Sequence, residues 1–110
     1  MPSIENEQNQ FLVSVVEVTN LEVRVGTAST LSCTVKGISD PVTISWLGFI
    51  PGEHFSVENG VLQSGRQTGK LTISEKMVLV DKQYDCQVSN GKATQTIPVN
   101  LEVYGKSYNS

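Results

Sequence analysis

Gly26-Thr-Ala-Ser-Thr-Leu31-Ser-Cys33, running on through Thr34-Val35-Lys36, is the stretch that decides the fold. Leu31, Cys33 and Val35 alternate with polar residues, so a period of two places them on one face of a strand. The same period recurs outward in both directions. Upstream, Phe11–Val18 and Leu21–Val25 are short β-branched runs broken at Thr19-Asn20, and Leu21, Val23 and Val25 share a face. Downstream, Asp40-Pro41 opens a run in which Val42, Ile44 and Trp46 align. Lys70–Ser74 turns Leu71 and Ile73 inward, and Gln83–Ser89 does the same with Tyr84, Cys86 and Val88. Ala93–Val103 closes the pattern with Ile97, Val99, Leu101 and Val103. No segment sustains a helical period.

Turn residues punctuate the runs. Pro51-Gly52 and Asn90-Gly91 mark tight reversals, and Asn59-Gly60 predicts a two-residue hairpin between Phe55–Glu58 and Val61–Gln63. Strands at this spacing call for an all-β antiparallel sandwich of about seven strands. Met1–Gln10 is polar and reads as a loose leader, 11–104 as one domain, and 105–110 as a tail or linker. A chain of 110 residues suffices for one such domain with a modest core.

The ordered pieces resemble the immunoglobulin superfamily, of constant type (C1 or C2) or I-set-like, over Leu21 to Val103. Gly26 to Cys33 is similar to the family's second strand, Trp46 follows at the family's distance, and Leu71-Thr-Ile73 precedes Tyr84-Asp-Cys86 at the family's interval. The resemblance implies a Greek-key sandwich with an inter-sheet disulfide between Cys33 and Cys86 and Trp46 packed beside it. It also implies a tyrosine corner, with the Tyr84 hydroxyl bonded to backbone just upstream. A pair of buried free thiols, as in an intracellular relative, is the alternative. Two departures stand out: Val80 occupies the place of the family's acidic residue, with Asp81 one position late, and Lys82 replaces a small residue. The base salt bridge is therefore not carried over. The interval from Trp46 to Leu71 is too short for two extra strands, and whether Phe55–Gln63 pairs as a C′ or a D strand stays open.

Candidate chemistry is sparse. Net charge is −3 and the eight Lys and Arg are scattered, which disfavours nucleic acid and anionic lipid as partners. No apolar run approaches the ~18 residues of a membrane span, so membrane association is expected only through segments beyond this chain. Two cysteines and one histidine do not complete a zinc site, and the acidic residues lack calcium-loop spacing. His54 stands in Pro51-Gly-Glu-His-Phe55 beside Glu53, which an extended backbone would send to the opposite side, and reads as a loop residue. Gly65-Arg-Gln-Thr-Gly69-Lys70 lacks the spacing of a phosphate loop and reads as a turn. Neither an enzyme nor a cofactor is expected, and no small-molecule substrate.

What remains is surface apolar character. If Trp46 points inward, the period of two sends Leu47 and Phe49 outward, with Gln87 and Thr96 at the rim as candidate protein-binding residues. The bland alternative folds Phe49 over the sheet edge beneath Pro51-Gly52. The expectation is a non-catalytic domain of a cell-surface or secreted protein that binds another protein, itself included, in adhesion or immune-type recognition. A spacer in a tandem ectodomain and an intracellular cytoskeletal domain are the alternatives. If the face is silent, the loop ends Gly37–Pro41 and Ser89–Lys92 are the next candidates.

Overall fold

The alternation that begins at Leu31 is carried into burial. In the computed structural model, which describes residues 15–105, β3 (Ser29–Lys36) buries Ser29, Leu31, Cys33 and Val35 and turns the residues between them outward. It is the second strand of a four-stranded sheet whose other members are β1 (Val15–Val18), β6 (Arg66–Ile73) and β5 (Phe55–Asn59). The order is β1-β3-β6-β5, all antiparallel. The facing sheet has the order β2-β8-β7-β4, from β2 (Leu21–Arg24), β8 (Thr94–Tyr104), β7 (Lys82–Ser89) and β4 (Thr43–Leu47). There β2 runs parallel to β8 and the other pairs are antiparallel. The expected leader and the tail from Lys106 on lie outside the described residues, as does the start of the first expected strand.

Eight strands stand where about seven were expected, because the break at Thr19-Asn20 moves the chain from one sheet to the other. Thr19 N–H donates to Ser32 O (3.1 Å) on the first sheet, and Asn20 Oδ1 accepts from Asn100 N–H (2.8 Å) on the second. A backbone bond at Thr19 and a side-chain oxygen at Asn20 thus satisfy polar groups at the crossing, where neither ladder is continuous.

Between the sheets, Leu31, Val35, Leu71 and Ile73 meet Ile44, Trp46, Val88, Val99 and Leu101. Cys33 and Cys86 bridge the layers with an S–S distance of 2.07 Å, and Trp46 lies directly opposite Cys86 in the β4–β7 register. Two features bring β6 down over β4. Gly69 faces inward, and a Cβ there would stand 2.5 Å from Ile44 Cγ2, so a larger residue would push the sheets apart. Gln67, two positions earlier, is buried and reaches across: its Nε2 donates to Val42 O (2.7 Å) while its Oε1 accepts from Val42 N–H (2.9 Å). One side-chain amide thereby acts as a ladder rung between two sheets.

The middle of the chain corrects the expected hairpin. β5 pairs with β6, Val57 opposite Leu71, so it takes the D position. Asn59-Gly60 does not turn there, because Gly60 N–H donates to Thr68 O at 2.8 Å and continues the contact with β6. The two-residue reversal is Ser64-Gly65, with φ of 54° and 76°. Gln63 and Arg66 exchange backbone hydrogen bonds of 2.8 and 3.0 Å across it. Left-handed geometry at both central positions is what a type I′ turn requires. Residues 66–70, expected as turn, therefore open β6.

Candidate functional site

The outer face of the second sheet is built by register. Leu47 stands opposite Asp85, which stands opposite Pro98; Ser45, Gln87 and Thr96 form the next row, and Thr43, Ser89 and Thr94 the third. Leu47 is 42% exposed, and Asp85 is the one formal charge in these nine positions. Gln87 and Thr96 are thus direct cross-strand neighbours, one row from Leu47. Among the described residues no strand pairs with the outer edge of β4.

The two outer faces differ in what their hydroxyls do. On the first sheet Thr30 pairs with Thr72 (3.0 Å), Thr34 with Thr68 (2.9 Å) and Thr19 with Ser32 (3.0 Å). On the second, the side chains of Thr43, Ser45, Gln87, Thr94 and Thr96 make no hydrogen bond within the described residues. Their donors and acceptors are directed to solvent around Leu47.

Phe49 is not part of this face, which corrects the expectation of a Leu47–Phe49 pair. β4 ends at Leu47, and Gly48, at φ 103°, turns the chain out of the extended geometry on which alternation depends. The Phe49 ring packs at the end of the core, its centroid 4.7 Å from Phe55 and 6.4 Å from Tyr84.

Tyr84 is buried, but its hydroxyl makes no hydrogen bond to upstream backbone among the described residues. Phe49 and Phe55, the latter with its ring centroid at 6.3 Å, pack against its ring instead, and Lys82 Nζ lies 5.8 Å from the ring centroid. The corner is tied by Asp81, whose Oδ1 accepts from Val103 N–H at 2.7 Å. An acid one position late thus anchors the last strand directly. Burial pushes the Tyr84 phenol above its ordinary value of 10.0. The folded state therefore holds this proton longer than the unfolded chain does. The associated stability is complete below about pH 10 and is lost as pH rises through the folded-state pKa. Tyr84→Phe is expected to change stability by less than about 0.5 kcal/mol near neutral pH, since no hydrogen bond is removed. It should also flatten the decline of the urea midpoint above about pH 10. A loss above about 1 kcal/mol at pH 7 would show that the hydroxyl has a partner.

His54 Nδ1 lies 3.2 Å from Ser74 Oγ, and its Nε2 lies 3.8 Å from Glu53 Oε2. Glu53 and His54 are neighbours in space because the segment is a turn, not an extended run. The trio has the residue types of a hydrolytic triad without its geometry. Ser74 Oγ accepts from Lys76 N–H as the cap of the short 3₁₀ turn Glu75–Met77, and 3.8 Å is beyond hydrogen-bond range. Among the described residues no group of three or more His, Cys, Asp or Glu could hold a metal ion, and no helix is long and apolar enough to cross a membrane.

Two four-stranded sheets, a bridging disulfide and Trp46 beside it define an immunoglobulin-like β-sandwich. The family model for the immunoglobulin I-set domain matches residues 13–103, and the chain belongs to that family. No curated protein matches it. Among solved structures, the chain is similar to one of Dpr2 Ig1-Ig2 in complex with DIP-Theta Ig1-Ig3, with a TM-score of 0.67 and 20% identity. That match covers 83% of this chain and 32% of the other. It is also similar to the twitchin kinase region from C. elegans, with a TM-score of 0.64, 19% identity and coverage of 83% and 16%. The titin Ig tandem domains A164-A165 give a TM-score of 0.59, 19% identity and coverage of 84% and 46%. This chain therefore spans less than half of each of these three, and the likeness shows the fold.

Proposed function

We propose that this chain is a non-catalytic, protein-binding domain of a cell-surface or secreted protein, and that its contact face is the outer surface of β4, β7 and β8 around Leu47. The observation that carries the reading is the half-exposed Leu47 beside hydroxyl and amide groups that have no partner within the described residues. A face with one charge is cheap to desolvate, and its free donors and acceptors supply specificity while an apolar residue anchors the contact. The disulfide supports an oxidising compartment, where such bonds persist. The complex of Dpr2 with DIP-Theta supports a protein as the class of partner.

The test is binding of the multimerised domain to intact cells. Leu47→Glu is expected to weaken binding about fivefold to thirtyfold, or 1–2 kcal/mol, with an unchanged melting temperature. Thr30→Glu, on the outer face of the other sheet, serves as the control and should leave binding intact. Equal binding by wild type and Leu47→Glu would place the contact elsewhere and favour a spacer role.

A further inference from the structure

Two Asn-Gly pairs punctuate the chain, Asn59-Gly60 and Asn90-Gly91, and the fold treats them differently. A glycine after asparagine has no side chain to shield its backbone nitrogen, so that nitrogen can reach the preceding side-chain amide. Both asparagines are exposed, so access to water does not separate them. At the first pair, Asn59 closes β5 opposite Gly69, and Gly60 N–H donates to Thr68 O at 2.8 Å. A Cβ on Gly60 would stand 2.8 Å from that same oxygen, so this residue is packed against β6 and its nitrogen is free only if the pairing opens. The second pair lies in the turn between β7 and β8. Nothing but its chain neighbours would lie within 4 Å of a Cβ on Gly91, and its N–H makes one long contact, 3.3 Å to Ser89 Oγ. The Asn90 side chain is already bent over this turn: its Oδ1 accepts from Lys92 N–H at 2.8 Å and from Ala93 N–H at 2.9 Å.

We infer that Asn90 is a site of spontaneous covalent modification, its side chain cyclising onto Gly91 in the folded domain while Asn59 is protected. The Gly91 nitrogen attacks Asn90 Cγ, the new C–N bond closes a succinimide ring, and Nδ2 leaves as ammonia carrying the proton that Gly91 gives up. Water then opens the ring at either carbonyl, leaving aspartate or isoaspartate at position 90. As the ring bond forms, negative charge develops on Oδ1. Two backbone N–H groups already point at that atom at the distances of an oxyanion hole, so the turn stabilises the charge without rearranging. At Asn59 the same step must first break the bond from Gly60 N–H to Thr68 O. Ring opening leaves a new carboxylate next to Ser89, at the end of a sheet face where Asp85 is the one formal charge. The isoaspartyl product also routes the backbone through the side-chain methylene and lengthens the turn. Any effect of this on binding rests on the contact face proposed above; the conversion itself does not.

Peptide mapping of the full chain during incubation at mildly alkaline pH tests this, with aspartate and isoaspartate products resolved by retention time and mass. A parallel sample, reduced and held in guanidinium chloride, gives the rate of each Asn-Gly pair without the fold. In the folded chain Asn90 is expected to convert at least about tenfold faster than Asn59, and no more slowly than it does in the unfolded sample. Folding should slow Asn59 alone. Conversion of Asn90 that is slower in the folded chain than in the unfolded one would show that the turn restrains the side chain, and would overturn the inference. Equal rates at Asn59 and Asn90 in the folded chain would overturn it as well, since the bond to Thr68 would then give no protection.

Discussion

Reduction of Cys33–Cys86 is expected to lower the unfolding free energy by about 2–5 kcal/mol. The two residues are 53 positions apart, and closing a loop of that size removes about 4 kcal/mol of chain entropy from the unfolded state in the loop-closure treatment. A domain of this size has about 5–15 kcal/mol in total, so the bond decides whether the fold has a comfortable margin. Both cysteines are fully buried and Trp46 stands opposite Cys86, so the bond also sits inside the core between the two sheets. The measurement is the urea midpoint with and without excess reductant, with reduction verified by mass. An unchanged midpoint in fully reduced protein would mean that burial alone holds the layers together.

The second large effect is expected at Gln67. Its amide satisfies both the N–H and the C=O of Val42 from the opposite sheet. Gln67→Leu keeps the volume and apolar fit but strands both backbone groups, each at about 1–3 kcal/mol. A loss of about 2–4 kcal/mol is expected, large for a substitution that makes the interior more hydrophobic. Gln67→Glu provides the internal check. An ionised carboxylate accepts from Val42 N–H but cannot donate to Val42 O, whereas a protonated one does both. Burial beside a carbonyl raises the carboxyl pKa in the folded state, so this variant's deficit relative to wild type should shrink as pH falls below that value. A Gln67→Leu protein within about 0.5 kcal/mol of wild type would show that water reaches Val42 and that the rung is dispensable.

Local alternation was enough to read most of the core. Leu31, Cys33, Val35, Ile44, Trp46, Leu71, Ile73, Cys86 and Val88 all face inward as the period of two predicts, because each lies within an unbroken strand. The readings that failed crossed a strand end. Phe49 follows Gly48, whose left-handed backbone cancels the parity counted from Trp46. Asn59-Gly60 carries the stronger turn signal than Ser64-Gly65, but pairing with Thr68 overrides local preference. Gln67 left no trace in the pattern: a polar residue at an inward position reads as an irregularity until its two backbone partners, 25 residues away, are placed beside it. Of the candidate contact face, the direction of Leu47 and the neighbourhood of Gln87 and Thr96 were legible from parity. The unpaired state of the hydroxyls was not, since it depends on what stands opposite in each sheet.

A disulfide-pinned domain acting outside the reducing cell interior is the central claim, and thiol trapping on protein from its native source tests it most directly. Cells are lysed into an alkylating reagent and denaturant, and the mass of this chain is read before and after reduction. The account predicts no alkylation of Cys33 or Cys86 before reduction and two adducts after it. Two adducts before reduction would contradict it, and would place this I-set domain in a reducing compartment, as an intracellular structural element.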